Sequence, residues 1–228
     1  MSYSSTITFT LDTICPWTYL GFTRLTAALA AFAVSHPDAS VTFTLKLAPY
    51  QLYPGFSAAG ENKYEWYKRE KYNGSEERMR MYVGAMRDLG EKDGIAFDFE
   101  NGMIANTLNA HRILRFLQET YSPSHALVAL SSLYEQYFSE AKHPSSRDTL
   151  VTACLAAGLS RADAEELVNN EEKWLKETKA AIREQAQNGV DSVPYVVVEG
   201  RRRDFTLVGA KSEEDYRKVL EQVVKEAR

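Results

Sequence analysis

Ile7-Thr8-Phe9-Thr10-Leu11-Asp12-Thr13-Ile14-Cys15-Pro16-Trp17-Thr18 is the stretch on which the fold turns. Ile7 to Leu11 reads as a short apolar strand, and Cys15 stands where a helix begins, with Pro16 suited to its first turn. Leu25, Leu29 and Phe32 recur at the spacing of one buried helical face, and the alanines between them add propensity, so a helix is predicted from Trp17 to Val34. A second strand, Val41 to Leu47, follows. Unpaired N–H groups and the positive end of the dipole at a helix start stabilise a thiolate. Cys15 is therefore expected to be open to solvent, to titrate below about 8.5 and to act as a nucleophile at neutral pH. The competing expectation is an inert, buried small hydrophobe, as most free cysteines are.

Near the other end, Gly189-Val190-Asp191-Ser192-Val193-Pro194 leads into Tyr195-Val196-Val197-Val198, a β-branched run with proline at the strand entrance. Proline in that position can be cis, which would turn the peptide groups of Val193 outward to pair with an extended peptide or with the backbone of glutathione. An ordinary trans proline at a strand edge is the alternative.

These features, with Tyr19-Leu20-Gly21 after the first motif, Asn106-Thr107-Leu108-Asn109-Ala110-His111-Arg112 in mid-chain and Val208-Gly209-Ala210 before the last helix, resemble the DsbA-like branch of the thioredoxin superfamily. More narrowly the chain resembles the FrnE-like proteins, whose relatives include kappa-class glutathione transferases and 2-hydroxychromene-2-carboxylate isomerases. The resemblance spans almost the whole chain. It implies an α/β, thioredoxin-like fold with a large all-helical insertion. One departure matters: the FrnE-like pattern carries a second cysteine three residues after the first, and here that position is Thr18. An internal Cys-x-x-Cys cycle is impossible at this motif, so a mixed disulfide on Cys15 must be resolved by an outside thiol such as glutathione.

The same resemblance suggests roles. Trp17 faces outward beside the sulfur, where a flat apolar substrate can stack, unless it packs against the insertion. Thr18 either donates its hydroxyl to the sulfur or fills the space of a lost cysteine. Pro16, Val193 and Pro194 form the walls of the site. Gly209 and Ala210 correspond to a loop that in glutathione-using relatives helps hold the γ-glutamyl end. Ser212, at the next helix start, meets a carboxylate or simply caps the helix. Asn106 is expected to reach into the cleft from the insertion, whereas His111 and Arg112 are read as structural. Tyr64, Trp66, Tyr67, Tyr72 and Tyr82 are read as core packing, with an aromatic pocket as the alternative.

The 228 residues suffice for a full core, and a net charge of −4 leaves no nucleic-acid footprint. No stretch approaches the roughly 20 apolar residues of a membrane span, and Met1 to Thr6 lacks the basic segment of a signal peptide, so the cytosol is expected. Two cysteines, Cys15 and Cys154, make no disulfide scaffold, and Cys154 is read as buried core. The histidines His36, His111, His125 and His143 have no ligand spacing, so no metal is expected. Arg201-Arg202-Arg203 reads as a solvated hairpin tip.

Residues 1–56 and 189–228 are assigned to the thioredoxin-like domain, 57–170 to the helical insertion, and a helix from Glu171 to Asn188 joins them. Helix starts are predicted at Ser122-Pro123 and at Ser160, whose partner Asp163 completes a capping box. Gly158 and Gly189 are read as helix ends, and Ser212 to Lys225 as the closing helix. Relatives with this architecture often pair, so a homodimer is an expectation.

Three functions follow. The first is a thiol-dependent oxidoreductase working through Cys15, with glutathione as partner. The second is a glutathione-dependent isomerase or transferase for a small aromatic or polyketide-like compound, in which the reactive sulfur belongs to glutathione. The third is a non-catalytic thioredoxin-like binding protein.

Overall fold

The computed structural model describes residues 3–227 of the chain. It divides into two units: one runs to Tyr50 and resumes at Ala180, and the other spans Gln51–Lys179.

The first unit holds β1 (Tyr3–Leu11), α1 (Pro16–Ser35), β2 (Val41–Pro49), β5 (Tyr195–Val198), β6 (Phe205–Val208) and α9 (Glu213–Ala227), together with the end of α8 (Leu175–Gln187). Strand order is β2-β1-β5-β6. β1 and β2 run parallel, from Tyr3 opposite Val41 to Leu11 opposite Pro49, because α1 carries the chain back between them. β5 then pairs antiparallel with β1, Ile7 opposite Val198, and with β6, Tyr195 opposite Val208. Ile7, Phe9 and Leu11 of the central strand are buried with Leu20 and Leu25 of α1, Val196 and Val198 of β5, and Leu220 and Val223 of α9. The sheet thus has an apolar core of aliphatic and aromatic side chains drawn from both ends of the sequence.

Two details depart from the sequence reading. Pro194 precedes β5 instead of opening it. The arginine run is more than a solvated tip: Arg201 donates to Ala227 O at 2.9 Å and Arg203 pairs with Glu226 at 2.9 Å. Positive charge at the end of α9 meets the carbonyls that a helix leaves unpaired there.

The second unit is helical: α2 (Lys63–Tyr72), α3 (Glu76–Lys92), α4 (Leu108–Thr120), α5 (Pro123–Phe138), α6 (Arg147–Ala156), α7 (Arg161–Asn169) and the start of α8. It also contains a short antiparallel pairing, β3 (Glu61–Asn62) with β4 (Met103–Ile104), which the all-helical expectation did not include. Ser160 caps α7, accepting from Asp163 N at 3.2 Å and donating to its carboxylate at 2.6 Å. Ser122 stands at the cap position of α5, but its hydroxyl bonds Ser124 and His125 in place of the helix backbone. Trp66, Tyr67, Tyr82 and Phe99 meet ring to ring at 5.1 to 5.7 Å and form core packing. The helix expected from Glu171 begins only at Leu175. Trp174, with φ of 66°, lies in the left-handed region and breaks the run.

Two buried cations organise this unit. Lys63 donates to Asp98 O at 2.6 Å and Tyr137 O at 3.3 Å, with its ammonium 4.6 Å from the Tyr137 ring centre. Burial lowers its pKa to about 8, against the pull of Asp98. Arg112 is buried on α4 and gives its guanidinium to the carbonyls of Leu167 (3.0 Å), Val168 (3.3 Å), Asn170 (3.1 Å) and Lys173 (3.1 Å). It thereby caps the C-terminal end of α7 and fixes the turn into α8. The mid-chain motif is thus structural at Arg112. Replacing Arg112 with Met leaves those carbonyls without their donor, and denaturant unfolding is expected to report a loss of about 3–5 kcal/mol.

Candidate active site

β1 ends at Leu11, and the turn from Asp12 delivers Cys15 to the N-cap of α1 with Pro16 as first helical residue. The turn is held by its backbone. Cys15 N–H donates to Asp12 O at 3.1 Å, while Thr18 and Tyr19 N–H groups donate to Cys15 O at 3.1 and 3.3 Å. The Thr18 hydroxyl lies 2.8 Å from Asp12 O and 2.7 Å from Cys15 O, a bridge across the helix entry.

The sulfur faces the strand entrance. Cys15 Sγ donates to Val193 O at 3.8 Å, and the Val193–Pro194 peptide is cis. Residues 178 apart in sequence are therefore in direct contact. Pro194 O accepts from Gly209 N at 2.8 Å, so the loop after β6 is tied to the same proline, and Gly209 sits at φ of 82°. The N–H of Val193 has no hydrogen-bond partner among the described residues.

The expected open thiolate is not what forms. Cys15 is 4% exposed, and burial pushes its thiol up to about 12. The N–H groups of Thr18 and Trp17 and the Thr18 hydroxyl pull the other way, as a helix start should, and the Asp12 charge adds to the rise. The local donors are present. Desolvation outweighs them.

The remaining expected site residues divide. Trp17 is 45% exposed, with its indole available to a flat partner. Ser212 forms a capping box, accepting from Asp215 N at 3.1 Å and donating to its carboxylate at 2.7 Å, so its hydroxyl is committed to α9. Asn106 is spent within the second unit. Its amide donates to Pro54 O at 3.0 Å and Phe56 O at 3.1 Å and accepts from Leu108 N at 2.8 Å, clamping the 54–56 loop. Cys154 is buried in that same unit, its thiol also pushed up to about 12 by burial. Both cysteines are free thiols. Among the described residues no group of three or more His, Cys, Asp or Glu could hold a metal, and no helix is long and apolar enough to cross a membrane.

Three residues at the site were given no role by the sequence reading. Asp12 is buried, and its charge acts on Cys15. Gly21 lies against the Pro194 ring, and Tyr216 is buried behind it. A glycine inside a helix of good formers costs about 1 kcal/mol against alanine, which is a signal of close approach.

The raised thiol sets two pH dependences. Alkylation of Cys15 by iodoacetamide is expected to climb about tenfold per pH unit through pH 9 and 10 with no plateau near neutrality; a plateau below pH 8 would overturn the assignment. In stability, the unfolded thiol loses its proton first. The unfolded state then binds fewer protons, and Cys15 makes the fold less stable as pH rises above the ordinary thiol value toward about 12. Cys15→Ala should flatten that part of the profile.

The DSBA-like thioredoxin domain family profile matches residues 6–221. Comparison with curated proteins gives no significant match. Among solved structures, a probable DsbA oxidoreductase from Streptomyces coelicolor superposes with TM-score 0.81 at 24% identity, covering 97% of this chain and 91% of that one. A 2-hydroxychromene-2-carboxylate isomerase gives 0.63 at 13% identity, covering 96% and 94%. The cytosolic disulfide reductase DsbM from Pseudomonas aeruginosa, in a structure with GSH, gives 0.56 at 16% identity, covering 96% and 99%. With a family match over nearly its whole length and the cysteine-bearing helix start set against a cis proline, the chain belongs to the DSBA-like thioredoxin domain family.

Proposed function

We propose that this protein is a glutathione-dependent thiol–disulfide oxidoreductase that works through the single sulfur of Cys15 in the cytosol. The observation that carries this reading is the contact of Cys15 Sγ with Val193 O at the cis peptide, in a chain whose motif offers Thr18 where a second cysteine would close the cycle. The structural likeness to DsbM solved with GSH agrees with it.

The exchange balances as follows. The Cys15 sulfur, giving up its proton, attacks a mixed disulfide of substrate and glutathione, the bond to the substrate sulfur breaks, and the proton ends on the departing substrate thiolate. A second glutathione then attacks the Cys15–glutathione disulfide, releasing glutathione disulfide and restoring the thiol. Substrate docking also activates the sulfur. An extended chain that pairs with the Val193 backbone competes for the carbonyl that now holds the Cys15 proton. Trp17 offers a face for the substrate.

The protonated, buried state of Cys15 favours a second reading. In it the enzyme is an isomerase or transferase for a small aromatic compound, the reactive sulfur is glutathione's, and Cys15 and Thr18 act as donors to it. The likeness to the chromene isomerase agrees with that version.

Cys15→Ser separates the two. Glutathione-dependent reduction of a small mixed disulfide is expected to fall at least about a hundredfold, whereas survival of most turnover would transfer the reaction to glutathione's own sulfur. Thr18→Cys supplies a second check. Side chains three residues apart on a helix are neighbours, so the variant should form an internal disulfide on oxidation, seen as a loss of two hydrogens in the intact mass.

A further inference from the structure

The contact between sulfur and strand entrance has a second point of support. Cys15 meets Val193 through its thiol at the N-cap, and six residues on, in the same helix, Gly21 meets Pro194. A methyl group on Gly21 would stand 3.1 Å from Pro194 Cγ, 3.4 Å from the Tyr216 hydroxyl and 3.6 Å from Ala210 Cα. Only the Pro194 contact is tighter than ordinary van der Waals distance, and the surroundings hold that ring in place. Pro194 is a ring whose carbonyl is held by Gly209 N at 2.8 Å. Tyr216 is 1% exposed in the core side of α9, and the third neighbour is backbone. α1 is the element left to move, and it carries Cys15.

We propose that Gly21 is a positioning residue of this site: by having no side chain it sets how closely α1 stands to Pro194, and through that spacing how tightly the Cys15 thiol is sealed against Val193. This rests on the reading of Cys15 as the reactive sulfur, but it concerns the thiol itself and is measurable without any substrate. The two contacts lie on one rigid helix. A displacement at Gly21 therefore opens the longer and weaker one, the 3.8 Å Sγ contact.

Tyr216 belongs to the same arrangement. Among the described residues its buried hydroxyl has no hydrogen bond of good geometry, although the Lys211 N–H faces it, and burial pushes the phenol up to about 12. A buried hydroxyl without a partner is a cost, and here it stands as the wall behind Gly21.

The test is the rate at which iodoacetamide modifies Cys15 in Gly21→Ala, followed by mass spectrometry at fixed pH. Gly84→Ala serves as control, because nothing lies within 4 Å of a methyl group there. The Gly21 variant is expected to react about tenfold faster than the parent, the gain in thiolate for a fall of one unit in pKa, while the control reacts at the parent rate. An unchanged rate in folded Gly21→Ala overturns the proposal, as does an equal rise in Gly84→Ala. Should Gly21→Ala fail to fold, the decisive comparison is Gly21→Ala/Pro194→Ala against Pro194→Ala alone. Removing Cγ takes away the atom the methyl meets, so the double variant should be as stable as the single one, and a double variant markedly less stable than Pro194→Ala overturns the proposal. Neither result depends on turnover, so the role of Cys15 in the reaction stands or falls separately by Cys15→Ser.

Discussion

The approach of the α1 start to the Val193–Pro194 peptide is the constraint on which the first unit depends. It joins residues far apart in the sequence through a thiol–carbonyl contact at one point and a glycine–proline contact at another. The parallel pairing of β1 with β2 and the antiparallel pairing of β1 with β5 bring the two segments to the same end of the central strand. The Gly209–Pro194 hydrogen bond ties β6 and the loop into α9 to the same place. Sheet register, helix packing and the site are therefore one geometric problem.

The chemistry of that sulfur is decided by a contest of two effects of opposite sign. Helix N–H groups and a hydroxyl favour the thiolate, and each lowers the Cys15 pKa. Removal of water favours the thiol, and it is the larger effect. Lys63 obeys the same rule with the opposite charge. Its carbonyl partners and the nearby Asp98 favour the ammonium, yet burial still lowers it to about 8. Arg112 is pulled the same way by burial. A guanidinium, however, stays charged across the accessible range, so its desolvation is offset by carbonyl acceptors rather than by loss of a proton.

Periodicity and cap residues made most of the elements legible. Leu25 and Phe32 are buried on α1 as their spacing requires, and Ser160 and Ser212 cap α7 and α9. The helix start at Cys15 was readable because proline is tolerated at the first turn. Burial of Cys15 was not readable, since it depends on Val193 and on tertiary packing that no local pattern encodes. The bonding of Asn106 was hidden for a related reason: its amide donates to carbonyls of residues 54 and 56, a long-range clamp. The break before α8 was hidden as well, because Glu171 to Trp174 has ordinary helix propensity and only the carbonyls taken by Arg112 and the left-handed Trp174 reveal the turn.

Thr18 joins the fold to the proposed one-sulfur chemistry. Its hydroxyl bridges Asp12 O and Cys15 O at 2.8 and 2.7 Å, distances at which an oxygen donor bonds well and a thiol, with its longer and weaker hydrogen bonds, does not. It also lowers the Cys15 pKa, so it acts on both the backbone and the sulfur. A cysteine at this position would exchange that bridge for a second sulfur, weakening the helix entry in the reduced form in return for an internal disulfide in the oxidised form. Threonine takes the opposite side of the exchange. With Cys15 a free thiol, the turn that presents it is held by short oxygen hydrogen bonds, and in the proposed reaction a disulfide formed there would be resolved by a thiol from outside.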